Sequence, residues 1–135
     1  MSVFVDTGVF YAHQNESANR HERAKELLTD VLRGEHGQPY TSDYVYDETV
    51  TLVLSRTSDF GEARTVGERI RDCPVSILFV DGAVFDDAVD AFERYAGHGL
   101  SFTDATTVAL MKKHDTDTLL SFDDDFDGVV ERISE

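Results

Sequence analysis

Ser2-Val3-Phe4-Val5-Asp6 opens the chain as a short run of β-branched and aromatic residues that closes on an acid. Such a run reads as a buried strand. Thr118-Leu119-Leu120-Ser121-Phe122 repeats the pattern and again closes on an acid, Asp123. Between the two, the apolar spacing changes to that of helices. A short helix is expected over 7–14. A longer one fits 17–33, where Ala24, Leu27, Leu28, Val31 and Leu32 recur at helical intervals ahead of Gly34 and Gly37. An extended piece follows at 39–42. Ser42 then caps a helix running to 56, and another fits 60–72 until Pro74 breaks it before an apolar strand at 75–80. Phe85, Ala88, Phe92 and Tyr95 share one face of a helix over 82–96, and Gly97-His98-Gly99 is a loop. Thr103 caps a helix to 114, and a last strand falls within 129–133. Strands alternating with helices imply an α/β sandwich on a parallel sheet. In such sheets ligands bind beyond the carboxyl ends of the strands, where Asp6 and Asp123 stand.

The length, 135 residues, predicts one domain over 1–135 with a single core. Lys+Arg number 12 against 27 Asp+Glu, a net charge of −15, yet the 41% hydrophobic content sets the chain apart from disordered ones. The run Val75–Val80 falls far short of the ~20 apolar residues of a membrane span, so no membrane is expected. Asp6 interrupts the first apolar stretch, so no secretory signal is expected and the location reads as cytoplasmic. The single cysteine, Cys73, excludes an internal disulfide and every Cys-based zinc cluster. A large one-sign charge keeps salt-adapted proteins in solution, with ionic strength screening the self-repulsion, and predicts a halophilic source. It also argues against non-specific nucleic-acid binding, which rests on a basic footprint.

With 17 aspartates in the chain, position says more than spacing. Val45, Glu48 and Leu52 share a helix face, so Glu48 is expected to point with apolar residues, where an unpaired charge is expensive, while Asp47 points to water. Asp104, Val108 and Met111 form a similar stripe, and Asp104 also occupies a first helical turn that favours a carboxylate. Taken singly, these acids have plain structural readings as caps or solvated ends. Together, two strand-end acids and two inward helix acids bring like charges to one crevice, with no Lys or Arg near them in sequence. A divalent cation is the simplest counter-ion, and all-oxygen ligation selects Mg²⁺ or Mn²⁺. A metal in an open carboxylate cluster activates water and clamps a phosphodiester. That is nuclease chemistry.

Val5-Asp6-Thr7, Glu48, Ser101-Phe102-Thr103-Asp104-Ala105 and Leu120-Ser121-Phe122-Asp123-Asp124-Asp125-Phe126, in this order, resemble a PIN-domain ribonuclease of the VapC toxin type. His21 with Ala24 fits the same pattern. The resemblance implies a three-layer α/β/α sandwich with a mostly parallel five-stranded sheet. It implies that Asp6, Glu48, Asp104 and Asp123 form the catalytic, metal-binding set. Asp125 would be an auxiliary acid, and Thr7, Thr103 and Ser121 would orient ligands or water. It further implies an Mg²⁺- or Mn²⁺-dependent endoribonuclease acting on RNA to leave 5′-phosphate and 3′-hydroxyl ends, a homodimer, and a cognate antitoxin. One departure stands out: the family's RNA surface is commonly basic. Arg20, Arg23, Arg56, Arg64, Arg69 and Arg71 would have to gather near the crevice.

Other patterns carry less. Asp123-x-Asp125-x-Asp127-Gly128 matches the start of an EF-hand loop, but the twelfth position is Ser134 rather than Glu. Asp86-Asp87-x-x-Asp90 reads as a solvated helix face. A haloacid-dehalogenase-type phosphatase needs an acid where Gly8 stands, and the five histidines show no zinc spacing. The alternatives are a PIN-like RNA-processing nuclease outside toxin–antitoxin pairs and a non-catalytic PIN-like binding module.

Overall fold

The computed structural model describes residues 1–134. Five strands, β1 (Ser2–Val5), β2 (Gln38–Ser42), β3 (Ser76–Leu78), β4 (Thr118–Leu120) and β5 (Arg132–Ile133), form one sheet in the order β3-β2-β1-β4-β5. Every pairing is parallel, with Phe4 opposite Tyr40 and Leu119, and Leu120 opposite Ile133. β1 is central, and Val3, Phe4 and Val5 are all fully buried. Successive strand residues face opposite sides, so both faces of β1 are covered, as parallel sheets require. The chain runs from β1 outward to β3, then returns to add β4 on the other flank. The switch point therefore lies between the carboxyl ends of β1 and β4.

Six helices connect the strands: α1 (Thr7–Gln14), α2 (His21–Leu32), α3 (Asp43–Thr57), α4 (Phe60–Asp72), α5 (Gly82–Arg94) and α6 (Phe102–Lys113). Leu27 and Val31 of α2, Val45 and Val53 of α3, and Ile70 of α4 join Phe4, Leu119, Leu120 and Phe126 in the core. α3 and α4 approach closely because Gly67 lacks a side chain; a Cβ there would sit 2.7 Å from the Tyr46 hydroxyl. No helix of the described residues is long and apolar enough to cross a membrane.

Several boundaries differ from expectation for local reasons. α2 starts at His21 rather than at 17, because Asn15 Oδ1 accepts the Ser17 N–H at 3.0 Å and holds a turn there. Ser101, not Thr103, caps α6, since its hydroxyl accepts the Asp104 N–H while Asp104 reaches back to the Ser101 N–H. The strand expected at 75–80 shortens to Ser76–Leu78, the one at 118–122 to Thr118–Leu120, and 97–99 includes the 3₁₀ turn Ala96–His98. α5 buries Val84 and Ala88 rather than Phe85 and Phe92, which remain 45% and 44% exposed and lean against Phe102 at ring separations of 5.6 and 5.9 Å. The helix is apolar over more than one stripe, and the smaller residues take the inner one.

Candidate active site

Asp6 follows β1 directly and begins α1. Its N–H donates to the Leu120 carbonyl at 3.0 Å, which anchors it to the end of β4 across the switch point. Its side chain, 4% exposed, accepts from the Ser121 hydroxyl at 2.7 Å through Oδ2. Oδ1 is buried and has no hydrogen-bond partner. Burial pushes the carboxyl up to about 7; the Ser121 hydrogen bond opposes this, and the charges of Asp104 and Glu48 add to it.

Asp104 sits in the first turn of α6 and is 7% exposed. Oδ2 accepts the Ser101 N–H at 2.9 Å, which fixes the carboxylate against the helix start. Burial raises its pKa to about 6, against the Ser101 hydrogen bonds and with the charges of Asp123 and Glu48. Asp6 and Asp104 thus sense each other, and both sense Glu48. Three of the four predicted acids therefore lie close enough for their charges to act on one another.

Glu48 is half-buried rather than inward. The buried line of α3 is Val45, Thr49 and Val53, so Glu48 and Leu52 flank it and Asp47 faces water. Asp123 is half-buried on the loop after β4, where its N–H donates to the Ser121 hydroxyl at 3.0 Å and its Oδ1 accepts the Asp125 N–H at 2.9 Å. Ser121 therefore links Asp6 to Asp123 through one oxygen. Asp125 points outward, and the neighbouring Asp123 charge raises its pKa. The Thr7 hydroxyl is buried without a partner. Thr103 is half-buried, and its carbonyl accepts from Thr106 Oγ1 at 2.6 Å.

Among the described residues, the one set of three carboxylates whose oxygens lie within 4.8 Å of one another is Asp123, Asp124 and Asp125. Asp6, Glu48 and Asp104 do not close to that distance as a set. Asp127 belongs to neither group: Arg132 grips both its oxygens at 2.8 and 3.0 Å, which removes it from the EF-hand-like pattern. The sequence pattern did not single out Ser101 or Asp124. The Ser-x-x-acid spacing of a capping box was the available signal for the first.

A hard divalent cation fits this donor set. All the donors are carboxylate or hydroxyl oxygens, none of the four predicted acids forms an ion pair among the described residues, and Asp6 Oδ1 is buried and unpartnered.

An all-parallel sheet with acids gathered at its switch point defines a class of α/β hydrolytic domain. The chain belongs to the PIN-domain family, whose model matches residues 3–131. It is 30% identical over 124 residues to the 23S rRNA-specific endonuclease VapC20 of Mycobacterium tuberculosis, covering 92% of this chain and 91% of that protein. It is 22% identical over 127 residues to a VapC ribonuclease of Archaeoglobus fulgidus, covering 93% of this chain and 80% of the relative. The crystal structure of VapC20, a sarcin–ricin-loop-cleaving toxin, superposes with a TM-score of 0.81 at 28% identity, covering 93% of each chain. VapBC2 of Rickettsia felis, bound to a promoter DNA fragment, shares the fold at a TM-score of 0.70 and 12% identity, covering 98% of each chain.

Proposed function

We propose that this PIN-domain chain is a divalent-metal-dependent endoribonuclease and the toxin of a VapBC-type toxin–antitoxin pair. The observation that carries the reading is Asp6, a 4% exposed carboxylate with an unpartnered oxygen beside further acids at the switch point. An uncompensated buried charge is costly, and a hard cation is the partner that neighbouring carboxylates suit.

Asp6, Asp104 and Asp123 would hold Mg²⁺ or Mn²⁺, with Glu48 as a further ligand or a water-positioning group. When bound, the ion supplies charge to polarise a phosphoryl oxygen and to acidify water. The chain supplies the rest. Ser121 holds Asp6, and Ser101 holds Asp104, so the carboxylates meet substrate already oriented. Glu48, as ligand or water-positioning group, would orient the attacking water, whose proton passes to solvent. The water oxygen bonds to phosphorus as the bond to the 3′-oxygen breaks, leaving a 5′-phosphate, and the 3′-oxygen takes a proton from solvent.

The structural neighbours solved as toxin–antitoxin assemblies support an antitoxin partner, whose Arg or Lys would enter the acidic crevice. Phe85 and Phe92, exposed at 45% and 44% on one side of α5 against Phe102, offer an apolar patch that suits a second copy of the chain. The −15 charge suits a cytoplasm of high salt. The test is cleavage of a 23S rRNA fragment carrying the sarcin–ricin loop and of total RNA, with Mn²⁺ in concentrated KCl. Wild type is expected to cut and Asp104→Asn to be silent at saturating metal. Equal cleavage by the two would overturn the site.

A further inference from the structure

The turn between α5 and α6 meets the loop after β4 at two reciprocal points. Each carries a glycine in the left-handed region, Gly99 at φ +77° in the turn and Gly128 at φ +85° in the loop. A Cβ on Gly99 would lie 3.2 Å from Asp125 Oδ2, and one on Gly128 would lie 3.7 Å from His98 Cε1. Asp125 of the loop is therefore seated over the glycine of the turn, and His98 of the turn over the glycine of the loop. The Tyr95 ring meets the His98 ring edge-on, at 5.6 Å and 88°, and braces it. The His98 charge also reaches Asp125, where it opposes the pKa rise that Asp123 causes. Leu100 and Phe126, both buried, anchor the turn and the loop to the body of the domain.

Each segment leads directly to one carboxylate of the candidate site. Gly99 stands two residues ahead of Ser101, whose N–H donates to Asp104 Oδ2 at 2.9 Å and whose hydroxyl accepts the Asp104 N–H. Asp125 gives its N–H to Asp123 Oδ1 at 2.9 Å. Ser121 ties Asp123 to Asp6, but nothing comparable ties Asp123 to Asp104 except the contact between turn and loop. We propose that this contact sets the spacing of Asp104 and Asp123, with His98 as a positioning residue that acts through the loop of Asp125 and Gly128. The inference rests on the reading of those two acids as metal ligands. A cation site needs its donors within about 0.5 Å of the productive geometry, and groups behind the ligands supply that precision. His98 is exposed, so its substitution removes little burial and acts on the site rather than on the core.

The experiment is calorimetric titration of Mn²⁺ into the full chain at high salt, with the Tm of every variant recorded in chelator. His98→Ala is expected to weaken Mn²⁺ at least about threefold with Tm unchanged, less than the 10- to 100-fold or so that follows loss of a ligand's direct partner. His98→Phe keeps a ring between Tyr95 and Gly128 and is expected to bind as wild type does. Gly99→Ala displaces the Asp125 carboxylate and is expected to weaken Mn²⁺ about tenfold. In Gly99→Ala/Asp125→Ala the added methyl meets no carboxylate, so affinity is expected to equal that of Asp125→Ala alone. Alanine at a positive φ is strained with or without Asp125, so Tm falls in both Gly99 variants and the strain is separated from the positioning effect. His114→Ala, at the opposite end of α6, is expected to change nothing. Wild-type affinity in either His98→Ala or Gly99→Ala overturns the proposal, as do additive losses in the double variant or equal losses in His98→Phe and His98→Ala. In each of those cases, binding that is lost in Asp104→Asn leaves the metal reading standing. Absence of saturable Mn²⁺ binding in wild type, or binding untouched by Asp104→Asn, removes that reading and the proposal with it.

Discussion

Two kinds of carboxylate stand near the switch point. Asp6 and Asp104 are 4% and 7% exposed, each fixed by a serine and each carrying a raised pKa. Asp124 and Asp125 stand in water on the loop after β4, and their neighbour Asp123 is half-buried between the two regions. Charge in the buried pair is unfavourable in the metal-free fold and becomes useful only when a cation compensates it. Charge on the loop costs little and is correspondingly easy to remove. The buried pair should therefore couple stability, pH and activity, whereas the loop should tune activity alone.

The largest expected effect lies in the buried pair. Asp6→Asn keeps an acceptor for the Ser121 hydroxyl but removes the charge. Cleavage should fall at least about a thousandfold, while the metal-free protein melts roughly 10 °C higher at pH 8, since relief of a few kcal/mol shifts Tm by that order in a domain of this size. Activity and stability moving in opposite directions is the signature of a buried functional charge. A variant that loses both would show Asp6 to be a structural residue.

Proton linkage sharpens the same contrast. The Asp6 carboxyl moves from 3.8 to about 7 on folding, so between those values the folded protein holds a proton that the unfolded chain has released. Metal-free stability attributable to Asp6 should be full below pH 4, and it should be lost as pH rises through about 7. Tm measured in chelator, as wild type minus Asp6→Asn, should fall across that window. Metal binding should run the other way, because protons compete for the same oxygens: affinity for Mn²⁺ by calorimetry should drop at least about tenfold from pH 6 to pH 5. A flat profile in both measurements would place Asp6 in water.

How much of this was legible follows from which residues the strands and helices could speak for. Asp6 and Asp123 were readable because a strand's end is marked by its own apolar run. Asp104 was readable as a first-turn acid, but not through its stripe. α6 buries Ala105, Thr106, Thr107, Ala109, Leu110 and Met111 around most of its circumference, so no single face distinguishes position 104. Glu48 was placed one position too far inward. Thr49 takes the buried line by donating its hydroxyl to the Val45 carbonyl at 2.7 Å, a satisfaction that polarity patterns do not register. The aromatic residues of α5 misled for a related reason: ring stacking on Phe102 keeps Phe85 and Phe92 in place without burying them.

Ser121 joins the two regions, and its removal should have an intermediate effect. Its hydroxyl donates to Asp6 Oδ2 and accepts the Asp123 N–H, so Ser121→Ala releases both acids while leaving every carboxylate in place. Loss of such an orienting group lowers metal affinity or activity by about 10- to 100-fold. Activity should be partly restored at high Mn²⁺, because the donors remain. An irreversible loss would mean that Ser121 acts on the fold rather than on the site.

The smallest effect belongs to the loop. Asp124→Asn removes one of the three carboxylates whose oxygens lie within 4.8 Å of one another, at an exposed position with no ion pair among the described residues. Exposed substitutions of this kind change stability by less than about 0.5 kcal/mol. Its charge also repels the others in the cluster, so removing it should ease repulsion and leave cleavage within about threefold of wild type. If the loop trio rather than the buried pair held the metal, Asp124→Asn would instead cost as much as Asp6→Asn. Measuring cleavage for the two variants side by side at one Mn²⁺ concentration decides which carboxylates do the binding: a large gap assigns it to the crevice, and parity assigns it to the loop.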